Sequence, residues 1–354
     1  MTGGAGYIGS ISVETLIAAG HDVVVLDDLS TGHRSAIPPG AGLIEGSYAD
    51  IERVARLLTD ERIDAILHCG ARSLVGESIA DPARYYRANI VGGVALLDAA
   101  RQAGVQRFVF SSSAAVYGTP EVAPIAESAP LRPINPYGET KRTFESALAW
   151  YGSAYGLRSV SLRYFNAAGA SADNGEDHDP ETHLIPNVLR AAEGTAEVAI
   201  FGDDYPTADG TCVRDYIHVE DLAAAHLLAL EATAGDRPAG DRPAAAEAGN
   251  RPAVPEAGDL PGWGSDRRRN ALVCNLGSGT GFSVRQVIDA AAGVVGHAIP
   301  TRIGPRRAGD PPVLIASAGR AESLLGWQAR HGSLEEMIGS AWEWRRRHPH
   351  GYPG

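Results

Sequence analysis

Thr2-Gly3-Gly4-Ala5-Gly6-Tyr7-Ile8-Gly9-Ser10 is the stretch on which the fold turns. Gly3, Gly6 and Gly9 recur every third residue and open a helix that starts near Ile8, while the apolar run Val23 to Leu26 ends at Asp27. Glycines in such a turn let backbone N–H groups approach a pyrophosphate at a helix N-terminus, and a carboxylate about 20 residues on accepts hydrogen bonds from an adenosine ribose. An acid at Asp27 also repels a 2′-phosphate, so the pattern predicts NAD rather than NADP. Three spaced glycines carry little weight in a chain with 42 of them; the helix, the strand and the terminal Asp around them carry more. Only Met1 and Thr2 precede the turn. The first strand of the sheet therefore reads as missing, and a true start further upstream is expected.

Beyond the turn, Ala65 to His68, Arg107 to Ser111 and Ser159 to Tyr164 read as further buried strands. Ile11 to Ala19, Ile51 to Leu58, Tyr85 to Gln102 and Tyr137 to Tyr155 carry the spacing of helices between them. This alternation predicts an α/β fold, a Rossmann-type doubly wound parallel sheet. After Asn166 the loops lengthen and only short elements such as Val198 to Phe201 and Val273 to Leu276 stand out. Residues 1–165 are thus expected to form the NAD-binding domain, completed by later crossover segments, and 166–354 a smaller C-terminal α/β lobe for substrate. Within that lobe, 234–270 repeats Gly-Asp-Arg-Pro-Ala at Gly235 and Gly240 among further Ala, Pro and Gly. So little apolar content predicts a disordered surface insertion.

The balance of 31 Lys and Arg against 43 Asp and Glu leaves a net charge of −12 over 354 residues. That excludes a broad nucleic-acid footprint or a polybasic membrane surface; an anionic ligand must be held by local cations. Cys69, Cys212 and Cys274 form neither a C-x-x-C motif nor an even framework. They are expected to be buried packing residues of a cytoplasmic protein, with no structural zinc or other metal. No apolar run reaches the roughly 18 residues of a membrane span, and the glycine-rich start lacks the order of a signal peptide.

Lys141 is the only lysine, every other Lys or Arg position being arginine, and it falls four residues after Tyr137 on an expected helix. That separation stacks the phenol and the ammonium on one face. A cation beside a phenol favours phenolate and makes tyrosine usable as a general base. Ser111-Ser112-Ser113 follows the apolar strand Phe108 to Phe110, which places hydroxyls at the carboxyl edge of a parallel sheet, where such folds bind ligands.

With Phe110-Ser111-Ser112-Ser113-Ala114-Ala115-Val116-Tyr117-Gly118, Asn135-Pro136-Tyr137-Gly138, Arg163-Tyr164-Phe165-Asn166 and Val213-Arg214-Asp215-Tyr216-Ile217-His218 in view, the chain resembles the extended short-chain dehydrogenase/reductases. Within them it is similar to the UDP-glucose 4-epimerase family. The resemblance covers nearly everything except the Ala234 to Asn270 insertion. It implies that Gly3, Gly6, Tyr7, Ile8 and Gly9 cradle NAD, that Asp27 holds the adenosine ribose and Asp50 and Ile51 the adenine, and that Asn89 lies along the cofactor. Tyr137 would be the base, Lys141 would bind the nicotinamide ribose and depress the Tyr137 pKa, and Ser113 would bond the reacting sugar hydroxyl. Asn166, His183, Leu184, Ala199 and Phe201 would line a UDP-sugar site, Arg214 and Arg307 would clamp the diphosphate, and Asp310 would hold a ribose. A homodimer is also implied.

The chain departs from the family at Ile11, where histidine is usual, at Cys69-Gly70, where Phe-Ala is usual, and at His183, often a polar amide. Leu314 stands where a tyrosine is associated with exclusion of N-acetylated sugars; the alternative is that it packs in the apolar strand Val313-Leu314-Ile315. The rivals within the superfamily are nucleotide-sugar dehydratases and decarboxylases, which usually carry acids where this chain has Ala114 and Ala115. A non-catalytic NAD-binding regulator is the rival of a different class, and would be free to lose Tyr137 and Lys141.

Overall fold

Thr2 lies in the middle of a sheet, bridged in parallel to Leu26 on one side and to His68 on the other. Its N–H donates to the Leu67 carbonyl at 3.0 Å and its carbonyl accepts from Cys69 N at 3.0 Å, while Met1 accepts from Leu26 N at 2.8 Å. The slot expected to lack a strand is therefore closed by Met1 and Thr2. Each backbone group of Met1 and Thr2 finds a partner on a flanking strand.

The computed structural model describes residues 1–194, 196–234, 270–307 and 310–353. The expected insertion at 234–270 lies outside them, apart from its first and last positions. In chain order the first half carries α1 (Tyr7–Ala18), β1 (Val24–Asp27), β2 (Gly42–Glu45), α2 (Ile51–Asp60), β3 (Ile66–His68), α3 (Val75–Ala80), α4 (Pro82–Tyr85), α5 (Gly93–Gln102), β4 (Arg107–Ser113), α6 (Pro136–Tyr155) and β5 (Arg158–Tyr164). Between α4 and α5, Tyr86–Gly92 is wound as a π-helix. The second half adds β6 (Asn166–Ala168), α7 (Leu184–Ala192), β7 (Val198–Phe201), β8 (Val213–His218), α8 (Val219–Ala232), β9 (Ala271–Leu276), β10 (Gly281–Ser283), α9 (Val284–Val295), β11 (Thr301–Gly304), β12 (Val313–Leu314), α10 (Gly319–Leu325) and α11 (Leu334–Arg347).

The main sheet is parallel throughout and runs β2, β1, the Met1-Thr2 pair, β3, β4, β5, β9. β9 comes from far along the chain, and α8 packs on α1. The two halves thus interleave rather than dividing cleanly at residue 165. One apolar cluster, with Val25, Leu67, Val109, Val160 and Cys274, lies between the sheet and α1, α8 and α10. A second, with Leu58, Leu97, Phe108, Phe144 and Leu148, fills the α2, α5, α6 side. Burial of both faces explains why β1 and β3 read as short continuous apolar runs rather than alternating ones.

The smaller lobe has its own core, in which Ile185, Val188, Ile200, Val287 and Met337 join α7, β7, α9 and α11. In it β6, β10 and β12 all pair with β8. The carboxyl ends of the large sheet face this lobe across a cleft, the place where doubly wound sheets bind ligands.

Candidate active site

The cleft holds about 1370 Å³, more than the roughly 300–1,000 Å³ that encloses one small ligand. At one end lies the glycine turn. Gly3 has φ +72°, and a Cβ there would fall 2.4 Å from Gly70 N; a Cβ on Gly9 would lie 2.0 Å from the Gly3 carbonyl oxygen. Gly6 is bare for another reason, since a Cβ there would meet only Gly3 O at 3.7 Å and the residue lines the cleft. Tyr7 and Ile8 line the same end, and the Tyr7 hydroxyl donates to the Gly169 carbonyl at 2.6 Å. Asp27 closes β1 with its carboxylate accepting from Ala5 N and Leu29 N, both at 2.9 Å, and burial pushes its pKa up. A cradle of bare backbone, a helix N-terminus and an acid at the neighbouring strand end match the donor set that an adenosine dinucleotide requires.

Three sequence-predicted cofactor residues are not part of this wall. Asp50 caps α2, accepting from Arg53 N at 3.1 Å, and Ile51 packs on the cluster beneath. The wall itself is made there by Ser47, Tyr48 and Ala49. Asn89 is buried: its Oδ1 accepts from Arg72 N at 2.8 Å, and its Nδ2 donates to Arg72 O and Thr140 Oγ1 at 3.0 Å. It braces the loop after β3 against α6.

Helix α6 starts with Asn135 accepting from Gly138 N at 2.8 Å and Pro136 in its first turn, a strong N-terminal signal. This fixes Tyr137 and Lys141 one turn apart at the mouth of the sheet. Lys141 is 3% exposed, donates to the Ser111 carbonyl at 2.7 Å and lies 4.8 Å over the Phe110 ring. Burial drags its pKa down to about 8. Ser113 ends β4, accepts from Ala115 N at 3.2 Å and lines the cleft together with Tyr137.

Burial raises the Tyr137 pKa, and the Ser113 hydroxyl lowers it. The Lys141 ammonium sits 5.7 Å from the phenol ring centre and donates to the Ser111 carbonyl.

At the other end, Asn166, His183, Leu184, Ala199, Phe201, Arg214, Arg307, Asp310 and Leu314 all line the cleft, as the sequence predicted. Arg214 on β8 is gripped by Asp310, and the Arg307 guanidinium lies 3.9 Å over the Phe201 ring. Glu176, 2.6 Å from His183 Nδ1, holds that imidazole well above its usual pKa. Cations therefore gather at this end while Asp27 marks the opposite one. Tyr48, Tyr164, Cys69 and Cys212 also line the cleft, though the sequence assigned none of them to it. Cys69 packs against the main apolar cluster, as expected, while its Sγ also meets the cleft wall 2.9 Å from Ser111 Oγ. No spacing rule marks these four, since each enters from a different strand end.

A parallel sheet with this glycine turn, together with a tyrosine, a lysine and a serine at its carboxyl edge, defines a nucleotide-cofactor enzyme of the dehydrogenase/reductase type. The chain belongs to the NAD dependent epimerase/dehydratase family, whose model matches residues 1–241. It is 45% identical to a UDP-glucose 4-epimerase of Lactobacillus helveticus over 353 residues, covering 99% of this chain and 97% of that one. A crystal structure of UDP-glucose 4-epimerase from Brucella ovis in complex with NAD superposes with a TM-score of 0.84 at 41% identity, covering 97% of each chain. The UDP-Glc/GlcNAc 4-epimerase from Campylobacter jejuni superposes at 0.78 with 37% identity, covering 98% of each.

Proposed function

We propose that this protein is an NAD-dependent 4-epimerase that interconverts UDP-glucose and UDP-galactose through a transient 4-keto sugar. The observation that carries the reading is that Ser113, Tyr137 and buried Lys141, one helical turn on from Tyr137, line one cleft whose far end holds Arg214 and Arg307. The residues of the near end fit NAD, which supplies a hydride acceptor and donor when bound. Tyr137 takes the proton of the sugar 4-hydroxyl while Ser113 orients that hydroxyl, and Tyr137 returns the proton once the hydride is given back to the opposite face. Turning the keto sugar over needs a fixed pivot. Arg214 and Arg307 supply it by holding the diphosphate, local cations in a protein of net charge −12. Asp27 marks the adenosine end, and the anchored ammonium of Lys141 serves the nicotinamide ribose. Catalysis in this reading is positioning plus proton transfer.

Ala114 and Ala115 favour epimerisation over dehydration, since elimination needs a further acid or base beside the serine. Exposed Tyr86, Val91 and Trp150, on segments that pack together around α6, support a homodimer through this helical face. No helix among the described residues is long and apolar enough to cross a membrane; three free thiols support a cytoplasmic location. The test is an assay of purified protein on UDP-galactose without added NAD, reading UDP-glucose. Formation of UDP-glucose is expected; none, even with NAD supplied, overturns the reading.

A further inference from the structure

Beside the substrate end of the cleft, the loop before α7 folds four side chains inward. His183 Nδ1 lies 2.6 Å from Glu176 Oε1 and 3.1 Å from Glu181 Oε1, while His178 Nδ1 lies 3.1 Å from Glu176 Oε1 and 4.0 Å from Glu181 Oε2. One donor atom from each of the four lies within 4.8 Å of the others. The loop is held from outside as well: His178 meets the Tyr7 ring edge-on at 6.3 Å, and Arg190 on α7 donates to its carbonyl.

A simple ion pair accounts for only part of this arrangement. An imidazolium at His183 satisfies one oxygen of each glutamate, yet the Glu181 side chain is fully sealed and its Oε2 has no hydrogen-bond partner. A buried carboxylate oxygen left unpaired costs free energy. Its nearest polar neighbour within the cluster is His178 Nδ1, so the orphan atom points into the group rather than away from it.

We propose that Glu176, His178, Glu181 and His183 form a binding site for a divalent cation of the zinc type. Two imidazole nitrogens and two carboxylate oxygens are a full tetrahedral set for such an ion, which takes its ligands at about 2.0–2.2 Å. Ligands at that distance stand about 3.4 Å from one another, inside the range of these atoms, which run from 2.6 Å apart to within 4.8 Å of one another. Shifts below about 1 Å, within reach of side-chain rotation, convert the cluster into a coordination sphere. The absence of a cysteine motif speaks only against thiolate sites, and these donors are of another kind. A cation here neutralises both sealed carboxylates and gives Glu181 Oε2 a partner. It also fixes the loop that carries His183 into the cleft.

The test uses the full chain stripped with chelator and then dialysed, titrated calorimetrically with zinc chloride in the absence of any nucleotide sugar. One equivalent is expected to bind, with affinity falling at least 10-fold in Glu181→Gln and in His178→Ala. Binding is expected to be unchanged in His297→Ala, an exposed histidine at the end of α9. His178→Ala covers the case in which the sealed Glu181 does not tolerate substitution. No stoichiometric zinc binding, which leaves an ion pair only, overturns the proposal. So does binding that survives both cluster variants or is lost in the His297 control. None of these readouts depends on turnover, so failure of the site and failure of the epimerase reading are distinguishable.

Discussion

Arg163 on β5 holds the Glu145 carboxylate of α6 from both sides, Nη2 to Oε2 at 2.5 Å and Nε to Oε1 at 2.9 Å, one helical turn beyond Lys141. Ser112 Oγ adds a bond to Oε1 at 2.5 Å, and Arg163 Nη1 reaches the Tyr117 hydroxyl, which passes on to Asn275 of β9 at 2.7 Å. The pair is 5% and 7% exposed. It therefore locks α6, and with it Tyr137, to the strands that present Ser113. Removing one charge strands the other, at a cost of about 3–5 kcal/mol. Glu145→Gln is expected to lose that much unfolding free energy in urea. A loss below about 1 kcal/mol would show that water reaches the guanidinium.

Tyr137→Phe deletes the phenol oxygen and little else. Turnover on UDP-galactose is expected to fall at least about 100-fold while NAD retention is unchanged; near-normal turnover in a folded variant removes Tyr137 from the base role. Lys141→Arg is expected to fail as well, because a sealed site built around one compact ammonium on the Ser111 carbonyl has no room for a fork.

Lys141 also predicts a pH dependence of stability. Its pKa falls from 10.5 unfolded to about 8 folded, so between these values the unfolded chain binds more protons and stability rises with pH. Below about 8 both states are protonated and the full cost of the buried charge is present, on the order of 3 kcal/mol at 1.36 kcal/mol per pKa unit. In NAD-free protein, Lys141→Met is expected to be the more stable form at pH 7, with the gap closing by pH 10 even as activity is lost. Urea titrations of both proteins at the two pH values decide it; a gap that does not narrow means that the ammonium is solvated.

The glycine turn separates folding from binding. A Cβ on Gly9 would collide with the Gly3 carbonyl at 2.0 Å, whereas one on Gly6 meets only Gly3 O at 3.7 Å and faces the cleft. Gly9→Ala is expected to lose both thermal stability and NAD. Gly6→Val is expected to keep its melting temperature without ligand but to retain at least 10-fold less NAD. A Gly6 variant that keeps its NAD would place the pyrophosphate elsewhere.

The central strand expected over Ser159 to Tyr164 is found at Arg158–Tyr164, and the small-lobe strand Val198–Phe201, a short continuous apolar run, at its expected bounds. β2 went unread because Gly42–Glu45 is short and only half-buried, leaving no apolar run to see. The helix expected over Tyr85 to Gln102 hides a π-helical stretch, since one widened turn does not break an apolar pattern; yet it is this stretch that carries Asn89, buried against Thr140. Tyr137 and Lys141 were legible because helical spacing alone brings them together. Of the loop cluster only His183 was named, and that by resemblance; Glu176, His178 and Glu181 were not legible, since an irregular loop, with no period of its own, assembles them.

Leu314 joins both readings that the sequence left open. It pairs with Arg214 along β8, packs against the cluster of Val116, Tyr117 and Ile125, and still lines the cleft. Being shorter than the tyrosine associated with exclusion of N-acetylated sugars, and without its hydroxyl, it leaves room at the sugar end. The unmodified protein is expected to interconvert UDP-N-acetylglucosamine and UDP-N-acetylgalactosamine at a measurable rate. Leu314→Tyr is expected to reduce that rate at least 10-fold while leaving UDP-galactose turnover within about 3-fold, because added bulk removes volume only where the larger substituent lies. Equal loss on both substrates would mean that the ring disturbs the Val116 cluster instead, and no activity of the unmodified protein on the N-acetylated pair would assign the selectivity to another residue.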